Sequence, residues 1–363
     1  MSKRFIFTLA TLVVIGLGTG VAIFFAKGYT FNPKEQRIVG TGIISVASTP
    51  DAASIYIDGH LTSATNATIS TLTPKEYTVR VVKEGFIPWE KKVEVKEGLV
   101  TDLKITLFPA IPTVYPLTFT GVKNPSLSPD GSQLAYIVPT GKKAGVWVWT
   151  FESDRPIAFA RGAQPHQIAQ STNIDYSSAS LRWSADSKQV IATIGANNYL
   201  LEDERLNTEP RDITPILQAT LKSWDNDLEE RDNARLLTIK DLNARKIASD
   251  SAVLKWSPDE TKFLYGQNPN TNLKVYDLET NKHFDIPPAD AQSWLPNSRH
   301  IILVEENKIS IVEFDGANKA EIYAGKFEDN FVFPWPDSSR LVMISSFPTP
   351  TASEPNLYGI NLK

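Results

Sequence analysis

The sequence predicts an all-β protein carried on one N-terminal transmembrane helix, with a small β-sandwich followed by a repetitive β architecture that a helical insertion interrupts. Three observations predict it: a charge-free apolar run over 5–26, polar/apolar alternation with turn dipeptides over 42–107, and five imperfect copies of one strand–turn–strand pattern between 125 and 343.

The apolar run is FIFTLATLVVIGLGTGVAIFFA, 22 residues without a charge. As a helix it is long enough to cross a hydrocarbon core of about 30 Å. A cleavable signal peptide is the rival, with Gly20 and Ala22 as small cleavage-site residues, but the apolar run continues through Ile23 to Phe25. The expectation is therefore an uncleaved anchor over 5–26, a cytoplasmic tail over 1–4, a linker over 27–41, and residues 27–363 outside a cell membrane crossed once. Basic residues flank both ends, Lys3 and Arg4 against Lys27, Lys34 and Arg37. Orientation thus rests on the shortness of the tail rather than on charge bias. GLGTG at 16–20 is no dinucleotide loop, because no strand precedes it and the third glycine is missing. Gly16 and Gly20 have the spacing of a helix-pairing motif, although glycine is frequent in membrane spans.

Residues 42–108 alternate as half-buried strands do: Ile55 and Ile57 against Tyr56, Val79 and Val81 against Arg80. Asp58-Gly59, Glu84-Gly85 and Glu97-Gly98 fall between such runs, so the segment reads as a small antiparallel sandwich. STPDAASIYIDG and YTVRVVKEGF resemble the S-T-P-x-G-A-x-V-x-I-D-G and Y-x-V-x-V-x-K-x-G-Y segments of the PEGA domain family. The departures are Ala52 for glycine, Thr65-Asn66 for Thr-Pro, and Lys75-Glu76 where glycine is usual. The resemblance implies a prokaryotic surface-exposed or secreted protein. A Pro-containing linker follows over 109–123, and TVYPLTFT within it is a candidate to pair with LYGINLK at the C-terminus.

The repeated pattern is clearest in WSPDETKFLY, 256–265. Ser257 can cap a turn with its hydroxyl, Pro258 has φ pre-set for the first central position of a type I turn, and Asp259 suits the second. Phe263, Leu264 and Tyr265 then form an unbroken apolar run, as in a strand covered on both faces. The other copies are PSLSPDGSQLAY, LRWSADSKQVIA, QSWLPNSRHIIL and FPWPDSSRLVM, aligned at Asp130, Asp186, Asp259, Asn297 and Asp337. Four residues after each comes Leu134, Val190, Phe263, Ile301 or Leu341, and before that Gln133, Gln189, Lys262, His300 or Arg340. The aligned positions are 56, 73, 38 and 40 residues apart. Short strands repeating at about forty residues are the signature of four-stranded blades stacked in a β-propeller.

A blade alone leaves apolar faces bare, so Trp183, Trp256 and Trp294, just before their turns, are read as core. Each would contribute up to roughly 4–6 kcal/mol on burial. Trp147 and Trp149 in VWVW read as a third strand. The copies are similar to the repeats of TolB-like, WD-repeat-like propellers, in which W-S-P-D-G-x-x-I-A-F opens each blade. Only Gly131 keeps the glycine, and the last copy shifts its tryptophan to Trp335. The expectation is a propeller over 124–363 of five blades, with six as the alternative, and a helical insertion at 213–249. There Thr214 and Pro215 read as N-cap and first helical residue, and Leu217, Leu221, Trp224 and Leu228 as one amphipathic face. That face is expected to cover the propeller rim, or else to be a partner-binding excursion. Asp225 and Asp227 make no calcium loop, since no glycine follows at the sixth position.

Net charge is −4, so there is no basic footprint for nucleic acid. With no cysteine there are no disulfides, no thiol chemistry and no lipid attached through an N-terminal cysteine. His60, His166, His283 and His300 are scattered, none at the i, i+4 spacing of a helical metal pair, and no G-x-S-x-G elbow is present. SPDG at 128–131 is only loosely similar to the Asp box of sialidases, which spaces its glycine differently. Asn66-Ala67-Thr68 reads as a chance glycosylation sequon. No catalytic, cofactor-binding or metal-ligating residue and no cofactor are assigned. The functional expectation is a non-catalytic binding or scaffold protein of the cell envelope, facing an envelope protein or wall polysaccharide. The alternatives are a surface glycoside- or peptide-processing enzyme with carboxylates converging in the propeller mouth, and a self-assembling surface-layer component.

Overall fold

The computed structural model describes residues 3–26, 29–32, 37–151, 165–269, 273–347 and 354–363. The N-terminal segment is helix α1, Lys3–Ala26. Among the described residues no helix is long and apolar enough to cross a membrane. The chain divides into two compact units, 1–111 and 112–362.

In the first unit, Ala67–Leu72, Gly42–Thr49 and Val100–Thr106 form one sheet, and His60–Ala64, Ser54–Ile57, Lys75–Val82 and Trp89–Val95 form another. Ile44, Val46, Ile55, Val79, Val81 and Trp89 meet in the core between them. The alternation behaves as expected: Ile55, Ile57, Val79 and Val81 are buried, Tyr56 is half-buried and Arg80 exposed. The sandwich is mixed rather than wholly antiparallel. Gly42–Thr49 runs parallel to Val100–Thr106, in register from Ile43 with Val100 to Thr49 with Thr106. Parallel neighbours need a long crossover, and the intervening four-stranded sheet supplies it.

The turn dipeptides do what their chemistry allows. Asp58 and Gly59 both take positive φ (48° and 81°) in a two-residue hairpin that pairs Ile57 with His60, the backbone of a type I′ turn. Lys75, at a position where glycine is usual, donates to Asp58 Oδ2 at 2.7 Å. That bond and a second from the Thr78 amide hold the Asp58 carboxyl below its ordinary range. Asn66 accepts from the Ser48 amide through Oδ1 at 3.1 Å, so its carboxamide braces the strand start.

Among the described residues the second unit holds five four-stranded antiparallel sheets. Sheet I is Lys123–Leu127, Gln133–Val138, Gly145–Thr150 and His166–Gln170; sheet II is Ser180–Trp183, Gln189–Ile194, Asn197–Glu202 and Arg211–Asp212. Sheet III is Val253–Trp256, Lys262–Gly266, Lys274–Asp277 and Lys282–Asp285; sheet IV is Ala291–Trp294, His300–Glu305, Lys308–Glu313 and Ala320–Ala324. Sheet V takes Val332–Pro334, Arg340–Ser345 and Asn356–Asn361 from the end of the chain and Val114–Pro116 from the start of the unit. The pairing of Val114 with Ile360 and Tyr115 with Gly359 matches TVYPLTFT to LYGINLK as expected, and VWVW is indeed a third strand.

Every second strand is an apolar run whose alternate residues serve different neighbours. In sheet I, Leu134, Tyr136 and Val138 pack with Phe333, Val342 and Leu357 of sheet V. Ala135 and Ile137, on the opposite face, pack with Trp183, Val190 and Ala192 of sheet II. Leu264 of sheet III packs with Ile301 and Leu303 of sheet IV in the same way.

The insertion is two helices rather than one. A 3₁₀ turn, Thr214–Ile216, leads into α2, Leu217–Thr238, and α3, Leu242–Ser249, follows. Thr214 caps neither, because its hydroxyl accepts from the Asn198 amide instead. Asp241 caps α3 through Ala244 N at 2.7 Å. The expected face of α2 holds: Trp224 is buried, and Leu217, Leu221 and Leu228 are half-buried. It does not simply cover a rim. Trp224, Leu217 and Leu221 pack on Ile191 and Leu200, the face of sheet II turned away from sheet I. Ala244 and Ala248 of α3 pack on Phe263 and Tyr276, the face of sheet III turned away from sheet IV. The helix pair therefore lies between sheets II and III.

Ala52 sits at φ 54°, with its side chain exposed, where the PEGA pattern has glycine. Left-handed backbone costs an L-residue about 1–2 kcal/mol, part of which glycine returns through its freer unfolded chain. Ala52→Gly is expected to stabilise the first unit by about 0.5–1 kcal/mol, read as a rise in denaturation midpoint at unchanged m-value.

Candidate functional site

Each sheet of the second unit begins with the same turn, built by a side-chain relay that starts from a serine. Ser128, Ser184 and Ser257 each donate a hydroxyl to the aspartate two residues on, at 2.6 Å, and accept the amide five residues on at 2.9–3.0 Å. The aligned Asp or Asn then accepts the second following amide in all five copies, at 2.8–3.2 Å. In the last two copies Leu295 and Trp335 occupy the serine position, and the backbone bonds from Leu295 N to His300 O and from Trp335 N to Arg340 O close the turn without a hydroxyl. The residue after the aligned position has positive φ in every copy: Gly131, Ser187, Glu260, Ser298 and Ser338, at 56–71°. The glycine expected there is thus a matter of comfort, since the turn imposes the conformation regardless.

Asp130, Asp186 and Asp259 titrate low. Burial pushes Asp130 and Asp259 up, but the hydroxyl and amide donors outweigh it and hold both below the ordinary carboxylate value. For Asp186 the Ser184 hydroxyl is the largest influence and lowers it.

Neighbouring sheets are tied by groups flanking the same turn. Trp183 Nε1 donates to the Ser126 carbonyl of sheet I, and Trp294 Nε1 to the Lys255 carbonyl of sheet III, both at 2.8 Å. Gln133 Nε2 donates to Asp203 Oδ2 at 2.9 Å, and the Asp259 amide to Ser298 Oγ at 3.0 Å. Lys262 places its ammonium 4.9 Å from the Phe314 ring centre of sheet IV. Lys255 Nζ donates to the Gln292 carbonyl, and desolvation lowers its pKa. The polar residue ahead of each apolar strand was visible in the sequence; that Gln133 and Lys262 reach into the next sheet was not.

The junction of sheets II and III departs from this scheme. By the same register Trp256 would donate to the Arg182 carbonyl, yet its buried Nε1 has no partner among the described residues. α2 stands in the way. Arg182 instead meets Asp225 of α2, Arg231 donates to the Ala185 carbonyl at 3.4 Å, and Arg235 pairs with Glu260 of sheet III at 2.9 Å. Such exposed ion pairs contribute about 0–1 kcal/mol each. Trp224 is the one buried residue of the 22 in α2. Asp225, Asp227, Glu229, Glu230 and Asp232 leave a charged surface open to solvent in this junction.

The four histidines stay apart and have structural partners: His60 with the Asp58 carbonyl, His166 with the Asp203 carbonyl, His283 with Tyr265 and His300 with Asn297. Among the described residues no group of three or more His, Asp or Glu could hold a metal ion.

Residues 41–111 match the PEGA domain. No curated protein sequence matches the chain. Among solved structures the chain is similar to a TolB-type protein of Agrobacterium tumefaciens, at 15% identity over 66% of this chain and 78% of that one, with a TM-score of 0.25. It is also similar to TolB of Acinetobacter baumannii (14% identity, 72% and 59% covered, TM-score 0.20) and to Hsv2 of Kluyveromyces lactis (11%, 84% and 72%, TM-score 0.22). At such scores the likeness places no residue, and the architecture of this chain stands on its own strand pairings.

The bridging scheme predicts unequal costs for one substitution. Trp183→Phe and Trp294→Phe each lose a bond and strand a carbonyl, so each is expected to cost about 1–2 kcal/mol more than Trp256→Phe, which removes an unpartnered donor; chemical denaturation of the three variants reads the difference. A second test concerns acid. Folded pKa values lowered below the ordinary carboxylate value stabilise the fold above that value, and the stabilisation is lost as pH falls below about 4. The triple variant Asp130→Asn, Asp186→Asn, Asp259→Asn keeps the acceptors, as Asn297 does naturally. It is expected to fold at pH 7 and to lose less stability than the parent between pH 4 and pH 2.

Proposed function

We propose that the protein is a membrane-anchored, non-catalytic binding scaffold of the cell envelope. In this reading residues 5–26 cross the membrane, and residues 27–363 lie outside it. The second unit closes as a ring of six sectors, five sheets acting as blades and the helix pair standing in for the sixth. The presence of both ends of the unit in sheet V supports closure. The 73-residue step between Asp186 and Asp259, longer than the 56 before it and about twice the 38 and 40 that follow, supports a sixth sector.

The observation that carries the binding reading is the II–III junction. A ring of blades has its polar turn groups spent on bridging, whereas the helix pair brings a charged, solvent-facing surface into the ring itself. The matching PEGA segment supports an extracytoplasmic setting. The partner is an envelope protein or wall polysaccharide.

Co-sedimentation of residues 42–363 with purified wall polysaccharide and, separately, with envelope proteins tests the reading. Retention on either is the expected result, and the variant Asp227→Asn, Glu229→Gln, Glu230→Gln, which changes only exposed side chains of α2, is expected to weaken retention on protein. Retention on neither sinks the binding reading. Alkaline extraction of membranes tests the anchor: the full chain is expected in the pellet, and a chain lacking 5–26 in the supernatant.

A further inference from the structure

The helix pair does more than separate two sheets. Where α3 meets sheet III it leaves a cavity of about 500 Å³, lined by Lys246, Ile247, Asp250 and Ser251 on the helix side and by Tyr265, Gly266, Gln267 and Lys274 on the sheet side. We propose that this cavity is a binding site for an acidic sugar, one pyranose ring bearing a single carboxylate. The inference is independent of the membrane anchor, and it adds a small-molecule site to the scaffold reading.

The wall chemistry argues for a sugar. Ile247 and Tyr265, both half-buried, give an apolar surface for the C–H face of a ring. Tyr265 is held by two contacts: its hydroxyl bonds His283 Nδ1 at 2.8 Å, and its ring meets Phe263 edge-on at 5.6 Å between centres. Binding would therefore cost little ordering of this side chain. Around that surface stand groups of both kinds. Gln267 Nε2 spends one of its two protons on the Asp250 carbonyl at 2.9 Å, which leaves the other proton and Oε1; Ser251 donates to the Ile247 carbonyl at 2.6 Å and keeps its lone pairs. The Asp250 carboxylate only accepts. A surface that offers acceptors at Gln267, Ser251 and Asp250 together with the Lys246 ammonium suits a polyhydroxyl ligand, whose groups both donate and accept.

The charges argue for one carboxylate rather than a phosphate. Lys274 is paired with Asp285 at 3.1 Å, a bond that raises its pKa and keeps it occupied. Lys246, exposed in the last turn of α3, has no ion-pair partner among the described residues. The Lys246 ammonium can pair with a single carboxylate, while Asp250 on the same wall opposes any anion and a dianion about twice as strongly.

The test is calorimetric titration of the full chain in detergent micelles with sodium glucuronate, glucose and inorganic phosphate. Saturable glucuronate binding with Kd below about 1 mM is expected, with glucose and phosphate at least tenfold weaker. Lys246→Ala is expected to remove the preference for glucuronate over glucose, and Tyr265→Phe, which keeps the ring, to retain most of the binding that Tyr265→Ala loses. The proposal is overturned if no sugar binds saturably, if phosphate binds as tightly as glucuronate, or if Lys246→Ala leaves the preference intact. Co-sedimentation of the same variants with envelope protein separates this from the scaffold reading, which survives if only the calorimetry fails.

Discussion

A four-stranded sheet whose second strand is apolar on both faces cannot exist alone in water, and the second unit is organised by that constraint. Leu134 and Ala135 are adjacent in sequence and buried against different sheets, V and II. Ile191 and Phe263 bring the same demand to the II–III junction, and there it is met by helices. Apolar burial is non-directional, so an amphipathic helix can satisfy a sheet face that another sheet would otherwise cover. What a helix cannot reproduce is the directional part of the contact, and the unpartnered indole of Trp256 marks that difference.

The turns show how a repeat tolerates sequence drift. The hydroxyl relay through Ser128, Ser184 and Ser257 gives way to a version without the hydroxyl at Leu295 and Trp335, yet all five copies keep the Asx contact and the left-handed residue after it. The invariant is therefore a backbone path. Side chains reinforce it where they can and are replaced where a neighbour needs the space, as when Trp335 moves into the serine position and packs 4.6 Å from Phe151 of sheet I.

Much of the β architecture was legible because it follows from local chemistry. Asp58-Gly59 can make few other turns, and Phe263-Leu264-Tyr265 reads as a strand covered on both faces. The parallel pairing of Gly42–Thr49 with Val100–Thr106 was not legible, since alternation fixes which side chains turn inward but not which strand lies alongside. The same limit applied to the insertion. Its apolar stripe at Leu217, Leu221 and Trp224 announced a buried face, while the surface it covers depends on a gap between two sheets that no local pattern encodes. The cavity beside α3 was illegible for a related reason: Lys246 and Tyr265 are nineteen positions apart, and their proximity is a product of how α3 docks.

The strand Val114–Pro116 has a meaning for the order of events as well as for the finished structure. It emerges from the ribosome well before its partner, Asn356–Asn361, exists. Until that strand has been made, Tyr115 and its neighbours have no ladder to join. Long-range pairings of this kind are slow to form. The strand Asn356–Asn361 is thus the piece without which the beginning of the unit has nowhere to go.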